Sequence, residues 1–382
     1  MTEELSVSKF YVELKKVIDD SYDIEIGRNL WDTLVNDLKG DLGTGINQYA
    51  IITDSTVKEL YGNALYERLV KEGLKVDLIS FPAGETSKVR AVKEQVEDEM
   101  LAKGHRRDSA IIALGGGVVT DLAGFVAGTF GRGIPFFNYS TTLLGAADAS
   151  VGGKTAVDTP LATNLIGLIY QPRKLYIDLA TWETLPKKQI SNGLAETIKH
   201  ACLADAEFFK YLEENAEKLL EPNGISKHYD VCEHIAETNC KIKYEVVVKD
   251  ERESNLRQIL NLGHTVGRAI ETLSSYSLLH GEAVAIGLVM QAKIGEKLGY
   301  LTKSEVERMI ELLQKVGLPT NLLDNMETEE VVQKLYTDKK VRKGKIRFVF
   351  QDGIGKVKRF EDGNYSTPLE EDFIRQTIQE VR

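Results

Sequence analysis

The chain has 382 residues, 42% of them hydrophobic, and a formal net charge of −10 with acidic and basic residues mixed along its length. That is enough apolar material for two domains, and the charge argues against general binding to nucleic acid or anionic membranes while leaving room for a local basic pocket. No apolar run approaches the roughly 20 residues of a membrane helix, the first twenty residues lack the apolar core of a secretory signal, and the scattered Cys202, Cys232 and Cys240 form no zinc or redox pattern, so a reducing, cytoplasmic location is expected.

In chain order, Tyr22 to Ile26 alternates as a short strand and Asn29 to Leu38 reads as a helix. Tyr49 to Asp54 has the continuous apolar character of a buried strand, an amphipathic segment runs on to Glu72, and another strand covers Lys75 to Phe81. After the turn from Pro82 to Lys88, a helix reaching about Lys103 leads to the apolar strand Ser109 to Leu114. A strand ends at Tyr139 to Thr142, and Lys174 to Leu179 is the last strand-like segment before Pro186. Strands alternating with helices predict a parallel sheet covered on both faces. Beyond Pro186 the pattern is helical for about 150 residues, so we expect an α/β N-terminal domain, residues 1–186, and a mostly α-helical C-terminal domain, residues 187–382.

Three stretches carry chemistry. The glycines of Leu114-Gly-Gly-Gly117-Val-Val-Thr-Asp121, between a strand and a helix, allow backbone N–H groups to approach a phosphate, and a dinucleotide pyrophosphate is the natural guest; a tight chain reversal would use the same residues. A second glycine-bearing loop, Asp148 to Asp158, carries Lys154 directly after two glycines, where a lysine meets a phosphate at close range or is simply solvated. The third runs from Arg257 to Glu282. Its Asn261, His264 and Arg268, at spacings of three and four, would share one helix face beside Thr265, and His280 follows sixteen residues after His264. Two histidines do not complete a metal site. Glu196, three residues before Lys199 at what reads as the start of a helix, would add a carboxylate and give a divalent ion with an open position, although each of these residues taken singly is more often an ordinary polar one.

At this point the chain resembles the 3-dehydroquinate synthase family of sugar-phosphate cyclases. The likeness rests on FPAGETSK, LGGGVVTDLAG, FGRGIPF, ADASVGGKTAVDTP, NLIG, QPRKLYID, GLAETIK, LNLGHTVGRAIE, LLHGEAVAIG and DKKVRKGKIRFVF, in family order from about residue 49 to residue 355. It implies a Rossmann-like NAD-binding domain, a helical domain, and a cleft between them in which 3-deoxy-D-arabino-heptulosonate 7-phosphate becomes 3-dehydroquinate and phosphate. It implies Glu196, His264 and His280 as ligands of zinc or cobalt. Glu85, Lys88, Gly117, Val118, Asp121, Thr141 and Thr142 would surround NAD, with Thr181, Trp182, Glu183 and Thr184 towards its adenine end and Lys154 and Thr163 also on the cofactor side. Asp148, Lys154, Asn164, Lys199, Lys243, Arg257, Asn261 and Lys339 or Lys340 would surround the substrate, and Arg132 would reach a neighbouring subunit's site in a homodimer.

The resemblance also sharpens the substrate. Lys243 and Arg257 stand at the family's carboxylate-binding positions, which favours dehydroquinate formation over cyclases whose substrates lack that group. Two positions depart from the family: Thr163 replaces a usual lysine, and Arg268 replaces the second histidine of G-H-T-x-G-H. Arg268 is expected to carry phosphate charge that the missing lysine would share, and it cannot serve as a proton acceptor near neutral pH. A related cyclase making a valiolone or inosose product, an NAD- and metal-dependent polyol dehydrogenase, and a non-catalytic relative are the competing readings; only the dehydrogenase would accumulate NADH.

Overall fold

The computed structural model describes residues 11–15, 17–275, 277–336, 341–342 and 345–380; Lys339 and Lys340 lie outside the described residues. The first half builds strands β1 (Asp23–Gly27), β2 (Gln48–Asp54), β3 (Val76–Phe81), β4 (Ser109–Gly115) and β5 (Phe136–Ser140), a hairpin of β6 (Lys154–Thr159) and β7 (Ala162–Ile169), and β8 (Lys174–Asp178). Six of these form one sheet in the order β1-β8-β5-β4-β2-β3, and every pairing in it is parallel.

The two faces follow from alternation along the strands. Tyr49, Ile51, Ile112, Leu114, Phe137 and Tyr139 meet Leu34, Val35 and Leu38 of the helix Trp31–Lys39 and Leu65 and Leu69 of the helix Asn63–Lys71. Ala50, Ile52, Ile111, Ala113 and Phe136 meet Val96 and Met100 of the helix Arg90–Ala102 and Val119, Leu122 and Val126 of the helix Gly117–Thr129. The parallel, doubly covered sheet expected from the sequence is therefore present. The second half packs the helices Lys187–Ala204, Tyr229–Lys249, His264–Leu273 and His280–Lys297 into an apolar cluster that also takes in Leu143, Leu175, Ile177 and Trp182 from the first half.

Two regions differ from the expectation. The glycine-bearing segment from Asp148 is a helical turn, Gly145–Ala149, followed by the β6/β7 antiparallel hairpin. Here Gly167 takes the place where a side chain would strike the backbone of Thr155 and Ala156, which marks the segment as strand rather than loop. Among the C-terminal helices sits a small antiparallel sheet of β9 (Val341–Arg342), β10 (Lys345–Val349) and β11 (Ser366–Pro368). Its buried Ile346 and Phe348 look like helical core residues when only apolar content is counted.

Asp178, at the end of β8, ties that strand to β5 and to the segment after β1. Its carboxylate accepts from Asn29 N (2.8 Å), Leu30 N (3.1 Å), Ala180 N (3.1 Å) and Tyr139 Oη (2.5 Å), while the residue is only 2% exposed. Asp178→Ala leaves these donors without their acceptor and is expected to cost about 3–5 kcal/mol. Chemical denaturation checks this, and a loss below about 1 kcal/mol would show that water replaces the carboxylate.

Candidate metal and cofactor site

Glu196 and Lys199 lie midway along Lys187–Ala204, not at its start. Asn192 and Gly193, before Glu196, are already a packing contact inside that helix: Asn192 Oδ1 accepts from Gly281 N (2.6 Å), and a Cβ on Gly193 would come within 2.6 Å of Leu144 N. His264 and His280 are each the first residue of a helix. These two helices approach closely through glycines, since a Cβ on Gly267 would lie 3.1 Å from the Ala283 carbonyl oxygen and one on Gly287 would collide with the Gly263 carbonyl. Asn261 does not share the helix of His264 and Arg268. It ends the preceding short helical segment Leu256–Asn261, and Gly263, at φ +77°, turns the chain between them.

The structure brings the triad together. Glu196 Oε1 lies 3.1 Å from His264 Nε2 and 3.1 Å from His280 Nε2, and Glu196 is completely buried. His264 Nδ1 is 3.1 Å from the Leu262 carbonyl and so must donate to it, which leaves Nε2 as a lone pair in the neutral ring. Burial pushes the His264 pKa down to about 4, despite the opposing pull of Glu196. A neutral imidazole lone pair facing an acceptor-only carboxylate at 3.1 Å leaves two acceptors in contact, an arrangement that a cation between them resolves. His280 is held from behind by Glu271, whose two oxygens lie 3.3 Å from Nδ1. Burial disfavours charge on His280, but Glu271 and Glu196 outweigh it and hold its pKa well above the ordinary value. One carboxylate oxygen and two supported imidazole nitrogens fit a divalent zinc-type ion.

Beside the triad lies a basic cluster. Lys199, 1% exposed, pairs with Glu196, and Lys243 Nζ pairs with Asp148 Oδ1 at 2.8 Å. Asp148 is half-buried; burial disfavours its charge, but Lys243 and Lys199 outweigh it and hold the carboxyl far below the usual range. Arg257 donates to the carbonyls of Gly152 (Nη2, 2.9 Å) and Glu251, and its buried Nε has no partner among the described residues. Lys154 Nζ meets Glu253 Oε2 at 2.5 Å, and Asn261 Nδ2 meets Glu253 Oε1 at 2.6 Å.

On the sheet side, Gly117 begins the helix after β4, and Thr142 packs so closely that a Cβ on Gly116 would lie 2.9 Å from its methyl group. Lys88 is buried between Asp121 (2.5 Å) and Glu85 (3.7 Å); burial opposes its charge, but Asp121, Glu85 and Asp158 raise its pKa. Val118 and Asp121 lie on the first turns of the Gly117 helix, and the buried Thr141 Oγ1 has no partner among the described residues. Thr181 donates to the Asp178 carbonyl, Thr184 meets Tyr61 Oη at 2.6 Å, Glu183 accepts from Tyr229, and the Trp182 side chain is sealed in the core. Thr163 and Asn164 lie on β7, where Asn164 takes a positive φ of 53° and donates its N–H to Asp158 Oδ1 at 2.7 Å. Arg132 is exposed with φ +73°, and Arg268 is half-buried one turn before Glu271.

The sequence reading missed Glu271, Glu253 and His200. Glu271 follows His264 by seven residues, two helical turns, so the spacing could have shown it. Buried His200 converges with Asp148 and Glu196 as a second set of ligand-type atoms, but Lys199 and Lys243 already supply positive charge to both carboxylates there.

Fold and site together define the class, a dehydroquinate synthase-like cyclase architecture. The solved structure of a 2-epi-5-epi-valiolone synthase from Streptomyces hygroscopicus subsp. jinggangensis 5008, with NAD+ and Zn2+ bound, superposes with a TM-score of 0.83 at 27% identity, over 97% of this chain and 99% of that one. A 2-deoxy-scyllo-inosose synthase matches at 0.83 and 24% identity over 94% and 96%, and a probable glycerol dehydrogenase from Sinorhizobium meliloti 1021 at 0.62 and 16% over 94% and 96%; these two show the fold alone. The chain belongs to the 3-dehydroquinate synthase family: residues 78–192 match its N-terminal family description and residues 193–341 its C-terminal one. A 3-dehydroquinate synthase from Thermodesulfovibrio yellowstonii is 43% identical over 345 residues, spanning 88% of this chain and 94% of that protein, and one from Desulforamulus reducens is 44% identical over 313 residues, spanning 82% and 86%.

The loop that carries Glu253 is organised by Asp250. Its carboxylate accepts from the backbone N–H groups of Ser254 (2.8 Å), Asn255 (2.8 Å) and Arg257 (2.9 Å). Burial raises the pKa of this carboxyl, but these donors outweigh that and hold it at about 2. A carboxyl depressed on folding contributes stability that is fully present above its unfolded value and is lost as pH falls through the folded one. The stability gap between the protein and Asp250→Asn is therefore expected to stay constant down to about pH 4 and to shrink towards about pH 2, measured by urea unfolding at each pH. A gap that does not change over that range would show that the loop is held by other contacts.

Proposed function

We propose that the protein converts 3-deoxy-D-arabino-heptulosonate 7-phosphate to 3-dehydroquinate and phosphate, the shikimate-pathway step that leads towards aromatic amino acids. It is a carbon–oxygen lyase that uses NAD catalytically together with zinc or cobalt. The observation that carries this reading is the convergence of Glu196, His264 and His280 beside Lys199, Lys243 and Arg257.

Residues 1–186 form the NAD-binding unit and residues 187–382 the metal- and substrate-binding unit. Bound metal and NAD would together supply polarisation of a substrate hydroxyl and a reversible hydride acceptor. Glu196, His264 and His280 hold the ion, and Glu271 fixes the orientation of the His280 ring. Lys243 and Arg257 take the substrate carboxylate, the unpartnered Arg257 Nε being a donor still to be used. Lys154, Asn164, Asn261 and Arg268 take the phosphate end and its neighbouring hydroxyls. The burial of Glu196, Lys199 and His264 keeps bulk water from the reacting hydroxyl and strengthens every charge contact around it. Gly117, Val118, Thr141, Thr142, Lys88 and Asp121 face the nucleotide, with Thr181 to Thr184 at its far end.

We further infer a cytoplasmic homodimer. Leu161, just before β7, and Leu165 and Ile169 on it expose apolar surface, Arg132 is exposed, and the three cysteines are buried and unpaired. No helix among the described residues is long and apolar enough to cross a membrane.

The metal-loaded protein with NAD is expected to release phosphate from 3-deoxy-D-arabino-heptulosonate 7-phosphate and to yield the carbocycle with no net absorbance at the NADH wavelength. A silent assay there, with turnover of sedoheptulose 7-phosphate instead, would move the reading to the valiolone branch. Truncating Arg268 to alanine should raise KM roughly tenfold or more if it carries phosphate charge, and Arg268→Ala/Thr163→Lys should recover part of that loss; no recovery counts against a charge exchange between the two positions.

A further inference from the structure

Glu253 is placed by its loop and not by its own preference. It takes a φ of +58°, a left-handed conformation that side chains other than glycine and asparagine avoid, and the four backbone and side-chain donors gathered by Asp250 hold the turn around it. In that position its carboxylate spans two residues from opposite halves of the chain, with Oε2 at 2.5 Å from Lys154 Nζ and Oε1 at 2.6 Å from Asn261 Nδ2. Neighbouring contacts close the same seam: Gln171 Nε2 donates to Glu251 Oε1 at 2.8 Å, and Arg257 donates to the Gly152 carbonyl.

We propose that Glu253 is an internal anion of the substrate site, occupying between Lys154 and Asn261 the place that an oxyanion of the substrate takes on binding. This rests on the reading above that both residues contact an anionic substrate. Lys199 and Lys243 already face Glu196 and Asp148, whereas Lys154 and Arg257 add further positive charge to the same site, and a tethered carboxylate offsets it while holding Lys154 and Asn261 in place. With a substrate oxyanion on the same ammonium and amide, Glu253 would stand against a like charge, and that repulsion drives it away. Its side chain is a quarter exposed, which leaves a path to solvent. Glu253 is thus a positioning residue with a cost in affinity, and it sets a threshold: a dianionic phosphate displaces it more readily than a monoanion does.

The test measures anion binding without turnover. The full-length protein, Glu253→Gln and Glu253→Asp are titrated calorimetrically with inorganic phosphate and with acetate, and thermal melting confirms that each is folded. Glutamine keeps the shape and loses the charge, so phosphate is expected to bind roughly three- to tenfold more tightly, with KM for the phosphorylated substrate falling in parallel and the preference for phosphate over acetate narrowing. The aspartate variant keeps the charge and should not tighten. Unchanged or weaker phosphate binding by the glutamine variant would overturn the proposal. So would a phosphate-bound crystal structure in which Glu253 still contacts both Lys154 and Asn261. Tighter phosphate binding without turnover of the heptulosonate would instead defeat the functional reading and leave this one standing.

Discussion

A carboxylate with no access to water needs compensation from every side, and Glu196 is such a group. Removing an ion of this kind from water costs several kcal/mol unless opposite charges and hydrogen bonds replace the lost hydration. Lys199, from the next turn of the same helix, and the two imidazoles supply that replacement. The helices carrying His264 and His280 come close enough only because glycines at 263, 267 and 287 remove the side chains that would hold them apart, and the two rings end 5.2 Å apart between centroids. The packing of the helical half and the geometry of the site are one arrangement, since a side chain at these glycines would meet the backbone or core of the facing helix that carries the other ligand.

The remaining charges follow from the same condition. Buried Lys88, Lys199 and Lys243 each lie against a carboxylate, and the carboxylates of Glu196 and Asp148 are held ionised by those partners against the cost of their burial. Lys88, Lys199, Lys243, Glu196 and Asp148 are therefore paired before any ligand arrives, so binding exchanges partners at these residues and does not create new isolated ions. That ordering in advance suits a reaction in which one flexible substrate must be held through several poses, because donors already in place lose little freedom on binding.

The helical half also bears on the sheet half through particular contacts. The apolar cluster of the second half continues into Leu175 and Ile177 of β8, and Asp178, at the end of that strand, holds it within the sheet half by gathering the segment after β1 and Tyr139 of β5. The two halves thus meet along β8.

Local pattern determined much of this. The alternation of apolar strands with amphipathic helices specified the parallel sheet, because periodicity is a property of neighbouring residues, and the residue types at 196, 264 and 280 announced metal chemistry before any geometry was known. What remained hidden depended on distant segments. The helix of Glu196 begins earlier than its sequence suggests because Gly193 is there for contact with Leu143 and Leu144, and the β6/β7 hairpin and the sheet of β9 to β11 depend on pairings that local composition does not reveal. Glu253 had no local signature, since its role comes from meeting Lys154 across 99 residues of sequence. Local preference is written residue by residue, whereas the partner of a buried charge is chosen only when the chain closes around it.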